Sequence, residues 1–107
     1  MTRTSTQNDI FQAIADPTRR RILQLLARRE MPITLLSQHF SISRPAVTKH
    51  LNVLSKAGLV SDCKIGRERR YKVEAEPLRE IQQWINHFES LWMDSLSELK
   101  DYIEKNN

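Results

Sequence analysis

With 107 residues, 39% of them hydrophobic, the chain is long enough for one compact domain that buries roughly 60 to 70% of the surface its unfolded form exposes, which excludes wholesale disorder. It has no run of about 18 apolar residues, and its start, MTRTSTQND, lacks the apolar core of a secretory signal, so a cytoplasmic protein with no membrane partner is expected. The net charge of +4 is unevenly spread: residues 1–73 hold 14 Lys and Arg against 5 Asp and Glu, residues 74–107 hold 3 against 8, which fits a basic body that meets a polyanion and a last segment with another task.

Residues 1–8 are polar and read as a flexible tail. From Asp9, Ile10, Phe11 and Ile14 fall at helical spacing and predict a short helix that ends near Asp16. Asp16-Pro17 is a start signal, with Asp as cap and Pro in the first turn. The following PTRRRILQLLARRE places Ile22, Leu25, Leu26 and the stem of Arg29 on one stripe of a second helix. Arg19, Arg20 and Arg21 at its front suit either phosphate contacts or tethering to nearby carboxylates. Met31-Pro32 breaks the pattern. Ile33, Leu36 and Phe40 then predict a third helix of about two turns, Ser41-Ile42-Ser43 a turn, and residues 44–57 a fourth helix ended by Gly58 in a left-handed conformation.

Two helices joined by a three-residue turn, the second with a polar outer face, make a helix-turn-helix. On the fourth helix Val47, Leu51, Leu54 and His50 face inward. Pro45, Lys49, Asn52 and Lys56 face outward, with Thr48 at the edge and Arg44 at the front. No acidic residue occurs from Ser43 to Lys56, and these outward types are ones that contact phosphates and base edges in a major groove. Ser43 can cap the helix, and the free N–H groups of its first turn favour a phosphate. After Gly58, LVSDCK and RRYKVE flank IGRE and predict a two-stranded hairpin turning at Gly66. Lys64, Arg67, Arg69, Arg70 and Lys72 make its tip basic, offset by Glu68. The single cysteine, Cys63, excludes an internal disulfide and a one-chain thiolate zinc site; ordinary strand packing is expected for it. Glu74 to Pro77 closes the hairpin, and Pro77 opens a final helix of about 29 residues, some 43 Å long.

ADPTRRRILQLL, FSISRPAVTKHLNVLSKAGLV and GRERRYKV, in this order, resemble the ArsR-type family of bacterial winged-helix repressors over residues 9 to about 105. The resemblance implies a mainly α fold with a small β-hairpin, a winged helix-turn-helix of four helices, a two-stranded wing and a fifth helix, dimerising through its terminal helices. It divides the chain into the tail at 1–8, a DNA-binding body at 9–76 and a dimerisation helix at 77–107. The family's DNA-contacting positions fall on Ser43, Arg44, Thr48 and Lys49, with the wing contact on Arg67 and its neighbours. The family's metal sensors do not carry over. The thiolate site needs a Cys-x-Cys, and ITLLSQHF at 33–40 has none; the last-helix site needs an Asp-x-His, and Ile85 stands two positions before His87 with no later His. No metal and no cofactor are therefore expected. No Ser/His/Asp set, phosphate-cradling Gly loop or carboxylate pair can be assembled, so an enzyme is not expected either.

The final helix carries Leu78, Ile81, Ile85, Phe88, Trp92, Leu96, Leu99 and Ile103 on one stripe, with Trp84 and Leu91 beside it. One small domain cannot cover that length. Trp84, Phe88, Leu91, Trp92, Leu96 and Leu99, with Ile10, Phe11 and Ile14 of the first helix, are the expected dimer interface. A cleft between paired helices could still hold a small hydrophobic effector of unknown identity. The reading is a homodimeric repressor that binds double-stranded DNA at an inverted repeat through Ser43, Arg44, Pro45, Thr48, Lys49, Asn52, Lys64, Arg67, Arg69 and Arg70. The alternative is a winged-helix interaction module that binds a protein partner through the long helix.

Overall fold

A computed structural model describes residues 9–106; the expected tail at 1–8 lies outside them. The order is α1 (Ile10–Ala13), α2 (Pro17–Arg28), β1 (Met31–Pro32), α3 (Ile33–Ser37), α4 (Arg44–Lys56), β2 (Val60–Ile65), β3 (Glu68–Val73) and α5 (Leu78–Lys105). Asp9 and Asp16 cap the first two helices, their carboxylates accepting from Phe11 N–H at 2.9 Å and Arg19 N–H at 3.0 Å. Each supplies a partner to a donor that helix geometry leaves unmatched. α4 ends as its sequence predicts. Gly58 takes φ +79°, and its N–H reaches Ser55 O while the Leu59 N–H reaches Leu54 O, the paired bonds of a Schellman close.

Two expectations need correction. The sheet has three strands in the order β1-β3-β2, not two, because Met31 and Pro32 pair with Tyr71 and Arg70. A proline lacks the ladder N–H and is tolerated there because β1 is an edge. α3 is also shorter than two turns. Past Ser37 the chain tightens into i→i+3 bonds, Gln38 to Leu35, His39 to Leu36 and Phe40 to Ser37, which keeps Phe40 packed against the core without extending the α-helix.

Ile22, Leu36, Val47, Leu51, Leu54 and Leu59 are fully buried where α2, α3, α4 and β2 converge. This core fixes α4 by its inner stripe and leaves the opposite face to solvent. α5 sits differently. Leu78 and Ile81 pack against the core, but no α5 residue is buried, and the helix projects from a molecule of 68 × 38 × 22 Å. Among the described residues, no helix is long and apolar enough to cross a membrane.

Candidate nucleic-acid interface

The front of α4 is built to be presented. Ser43 is extended at the cap, and its Oγ accepts from Ala46 N–H at 3.2 Å. Pro45 sits in the first turn, where its missing N–H removes nothing from the helix ladder and its ring stiffens the end. Ser43, Arg44, Pro45, Lys49, Asn52 and Lys56 are exposed, and Thr48 is half-buried at the edge of that face. With Val47, Leu51 and Leu54 wholly inside, the helix cannot turn this face inward without exposing its core stripe.

The wing follows from its register. Ile65 opposes Glu68, Lys64 opposes Arg69, and Asp62 opposes Tyr71, so the strands are joined by Gly66 and Arg67 alone. Gly66 has φ +64° and Arg67 a negative φ, the pattern of a type II′ turn with Gly at its first central position. The tip therefore presents Arg67. The other cations are less available than their number suggests. Arg69 is bonded to Asp62; Arg70 donates to Glu68 at 3.2 Å and lies 3.9 Å from Glu30; Lys72 is 4.0 Å from Glu74. Among the described residues, Lys64 and Arg67 have no carboxylate partner. Cys63, expected to be packed, is exposed, because β2 beyond Ser61 has no layer over it.

Helix front and wing meet in one groove. A concavity of about 600 Å³ is lined by Arg44 of α4, Arg67, Glu68 and Arg69 of the wing, and Pro32, Ile33 and Thr34 at the start of α3. Three guanidiniums around one groove suit phosphate oxygens or the acceptor edge of a guanine, which an arginine fork meets with two donors. Lys49 lies outside that groove, in a smaller cleft of about 260 Å³ with Arg19, Ala46, His50 and Val53.

That second cleft exposes what the residue pattern misses. Arg19 is tethered to carbonyls: its Nε donates to Ala13 O at 2.6 Å and its Nη2 to Gln12 O at 3.1 Å. Arg20 likewise donates to Ile14 O at 2.8 Å. These are carbonyls at the C-terminal end of α1, where a helix favours a cation. The remaining Arg19 nitrogen meets His50 Nδ1 at 3.3 Å, so His50, expected inward, is half-buried and polar in its contacts. Asp16 is 3.9 Å from the same ring. Partial burial pushes the Asp16 carboxyl up, but the Arg19 N–H, the charges of His50 and Arg19, and the Thr18 N–H together hold it below the usual carboxylate value.

The expected interface residues divide. Trp84, Phe88, Leu91, Trp92, Leu96 and Leu99 of α5 are each 40–62% exposed, an apolar stripe uncovered along the helix. Phe11 and Ile14 are half-buried, Phe11 lying edge-on to Trp84 with ring centres 5.5 Å apart. Ile10, by contrast, is only 5% exposed and packs in the core of the chain. Among the described residues, no three His, Cys, Asp or Glu side chains converge as metal ligands would.

Residues 16–62 match the bacterial regulatory protein, arsR family. The chain is 38% identical over 81 residues to the transcriptional repressor SdpR of Bacillus subtilis, covering 76% of this chain and 90% of that protein. This chain belongs to the ArsR family. A crystal structure of an ArsR family transcriptional regulator superimposes with a TM-score of 0.73 at 35% identity, covering 87% of this chain and 97% of that one. An ArsR-like regulator from Rhodococcus sp. RHA1 gives 0.67 at 33% identity, over 89% and 90%. As an ArsR-family member the chain is a DNA-binding transcriptional regulator with a winged helix-turn-helix, and it is not an enzyme.

Proposed function

We propose that this chain is a homodimeric transcriptional repressor of the subgroup that senses no metal. Each subunit lays α4 in a major groove of an inverted-repeat operator, with Arg44, Thr48 and Lys49 near base edges and the wing's Arg67 on the backbone or in the adjacent minor groove. Ser43, Asn52 and Lys64 add phosphate contacts. The observation that carries the reading is the groove shared by Arg44 and Arg67, which joins the front of an acid-free helix to the tip of a basic wing. Two-fold pairing through α5 covers its apolar stripe and sets the two α4 helices about one helical turn of DNA or more apart. A small hydrophobic effector between the paired helices is compatible with this arrangement.

The test is a titration of a duplex selected from a random-sequence library, at several salt concentrations. The parent protein should bind it steeply salt-dependently, because each neutralised phosphate releases counterions. A Lys49→Ala/Arg67→Ala variant that binds as tightly as the parent at moderate salt would sink the assignment. Light scattering decides the alternative of a partner-binding module: a stable monomer at micromolar concentration counts against the repressor.

A further inference from the structure

α4 is held on the body mainly by apolar packing, with Val47, Leu51 and Leu54 fully buried. Such packing is non-directional: it resists withdrawal of a helix far more than a small rotation about its axis. The buried stripe sets which face of α4 points outward, and the small rotation left within that packing is restrained by hydrogen bonds, which are directional. Among the described residues, the only side-chain hydrogen bond between α4 and another element is that of Arg19 with His50 Nδ1, and Asp16 Oδ2 lies 3.9 Å from the same nitrogen. Arginine offers donors alone. In this contact His50 Nδ1 is therefore the acceptor.

The other end of that guanidinium grips Gln12 O and Ala13 O. These carbonyls belong to α1, a four-residue helix whose Phe11 ring lies against Trp84 of α5. A continuous set of contacts thus runs from α5 through α1 and Arg19 to the face of α4.

We propose that Arg19 and His50 are positioning residues for operator recognition: the bridged guanidinium fixes the rotation of α4 against α1, and so against the α1/α5 surface through which the subunits pair. This rests on the dimeric repressor reading above. In a dimer a rotation of α4 occurs at both half-sites, so base-edge contacts are lost twice over. Phosphate contacts made by long side chains survive it. The bridge therefore governs selectivity between sequences more than affinity for DNA as such.

The full chain is tested on two duplexes of equal length, the sequence the parent selects from a random library and its scrambled counterpart. His50→Ala removes the acceptor; His50→Asn restores one near the place of Nδ1. Loss of a hydrogen bond to a charged donor predicts about tenfold weaker binding of the selected duplex by His50→Ala. Its binding of the scrambled duplex, and its dimer in light scattering, should stay at the parent's level, and His50→Asn should recover most of the loss. Adding Arg19→Ala to His50→Ala should cost little more on the selected duplex, since Arg19 reaches α4 only through its bond to His50. A His50→Ala protein as selective as the parent, an equal loss on both duplexes, or no recovery by His50→Asn would each overturn the proposal. A parent that does not distinguish the duplexes overturns instead the repressor reading beneath it.

Discussion

Arg69 is bonded to Asp62 diagonally across β2 and β3, whereas Arg67 projects from the turn two residues earlier with no carboxylate partner among the described residues. Two arginines at one wing tip thus differ in availability. Arg67→Ala should weaken DNA binding several-fold and lower the slope of log affinity against log salt by about 1. Arg69→Ala should do less, because part of its charge is already matched by Asp62. Asp62→Asn reverses the arrangement: it releases Arg69 and should tighten binding at low salt. Electrophoretic or anisotropy titrations across a salt series read all three. Equal effects of Arg67→Ala and Arg69→Ala would show that the Asp62 pair does not hold in solution.

Gly66 tests the turn itself. At φ +64° a Cβ would meet no other group within 4 Å, so Gly66→Ala has no clash, only backbone strain of about 1 to 2 kcal/mol. The strain falls on a two-residue turn that the core does not brace. The expected outcome is a re-aimed Arg67, hence weaker DNA binding, with a melting temperature lowered by only a few degrees. A large drop in melting temperature with unchanged binding per folded molecule would contradict it.

The features readable in advance are those that depend on neighbours in the chain. Pro45 behind Ser43 signals a helix start, and Gly58 after an apolar stripe signals a Schellman end, because each acts within one turn. β1 is not readable that way, since two residues become a strand only when β3 lies alongside, and Pro32 argues against one locally. The Asp62–Arg69 bond is intermediate: once Gly66 fixes a two-residue turn, the register puts residues 62 and 69 diagonally on one face, so counting charge along the wing overstates what is free. The Arg19–His50 bond joins residues 31 apart and leaves no periodic trace. A histidine beside an apolar stripe looks like packing until α1 and α2 are folded against it.

The α5 stripe should behave as an interface. Trp92 is 62% exposed and lies far from the core that Leu78 and Ile81 touch, so Trp92→Glu should leave the fold intact. In a dimer it would bury an unpaired carboxylate against apolar partners, which is strongly unfavourable. Sedimentation or light scattering should show monomer at concentrations where the parent is dimeric, with operator binding lost and circular dichroism retained. A Trp92→Glu dimer as stable as the parent would place the pairing surface elsewhere.

Asp16 gives a pH dependence whose sign can be worked out. Its folded-state pKa lies below the ordinary value of 3.8, so the folded protein binds its proton less readily than the unfolded chain does. The stability it contributes is complete above that ordinary value and is lost as pH falls through the depressed folded value. At neutral pH, Asp16→Asn keeps an acceptor for the Arg19 N–H and should be only slightly destabilised, while Asp16→Ala removes the α2 cap and should cost about 1 kcal/mol. Below pH 4 the parent should lose stability faster than Asp16→Asn, so their denaturation midpoints converge on acidification. Urea melts at several pH values measure this, and midpoints that run parallel would show that the carboxylate charge is not held by Arg19 and His50.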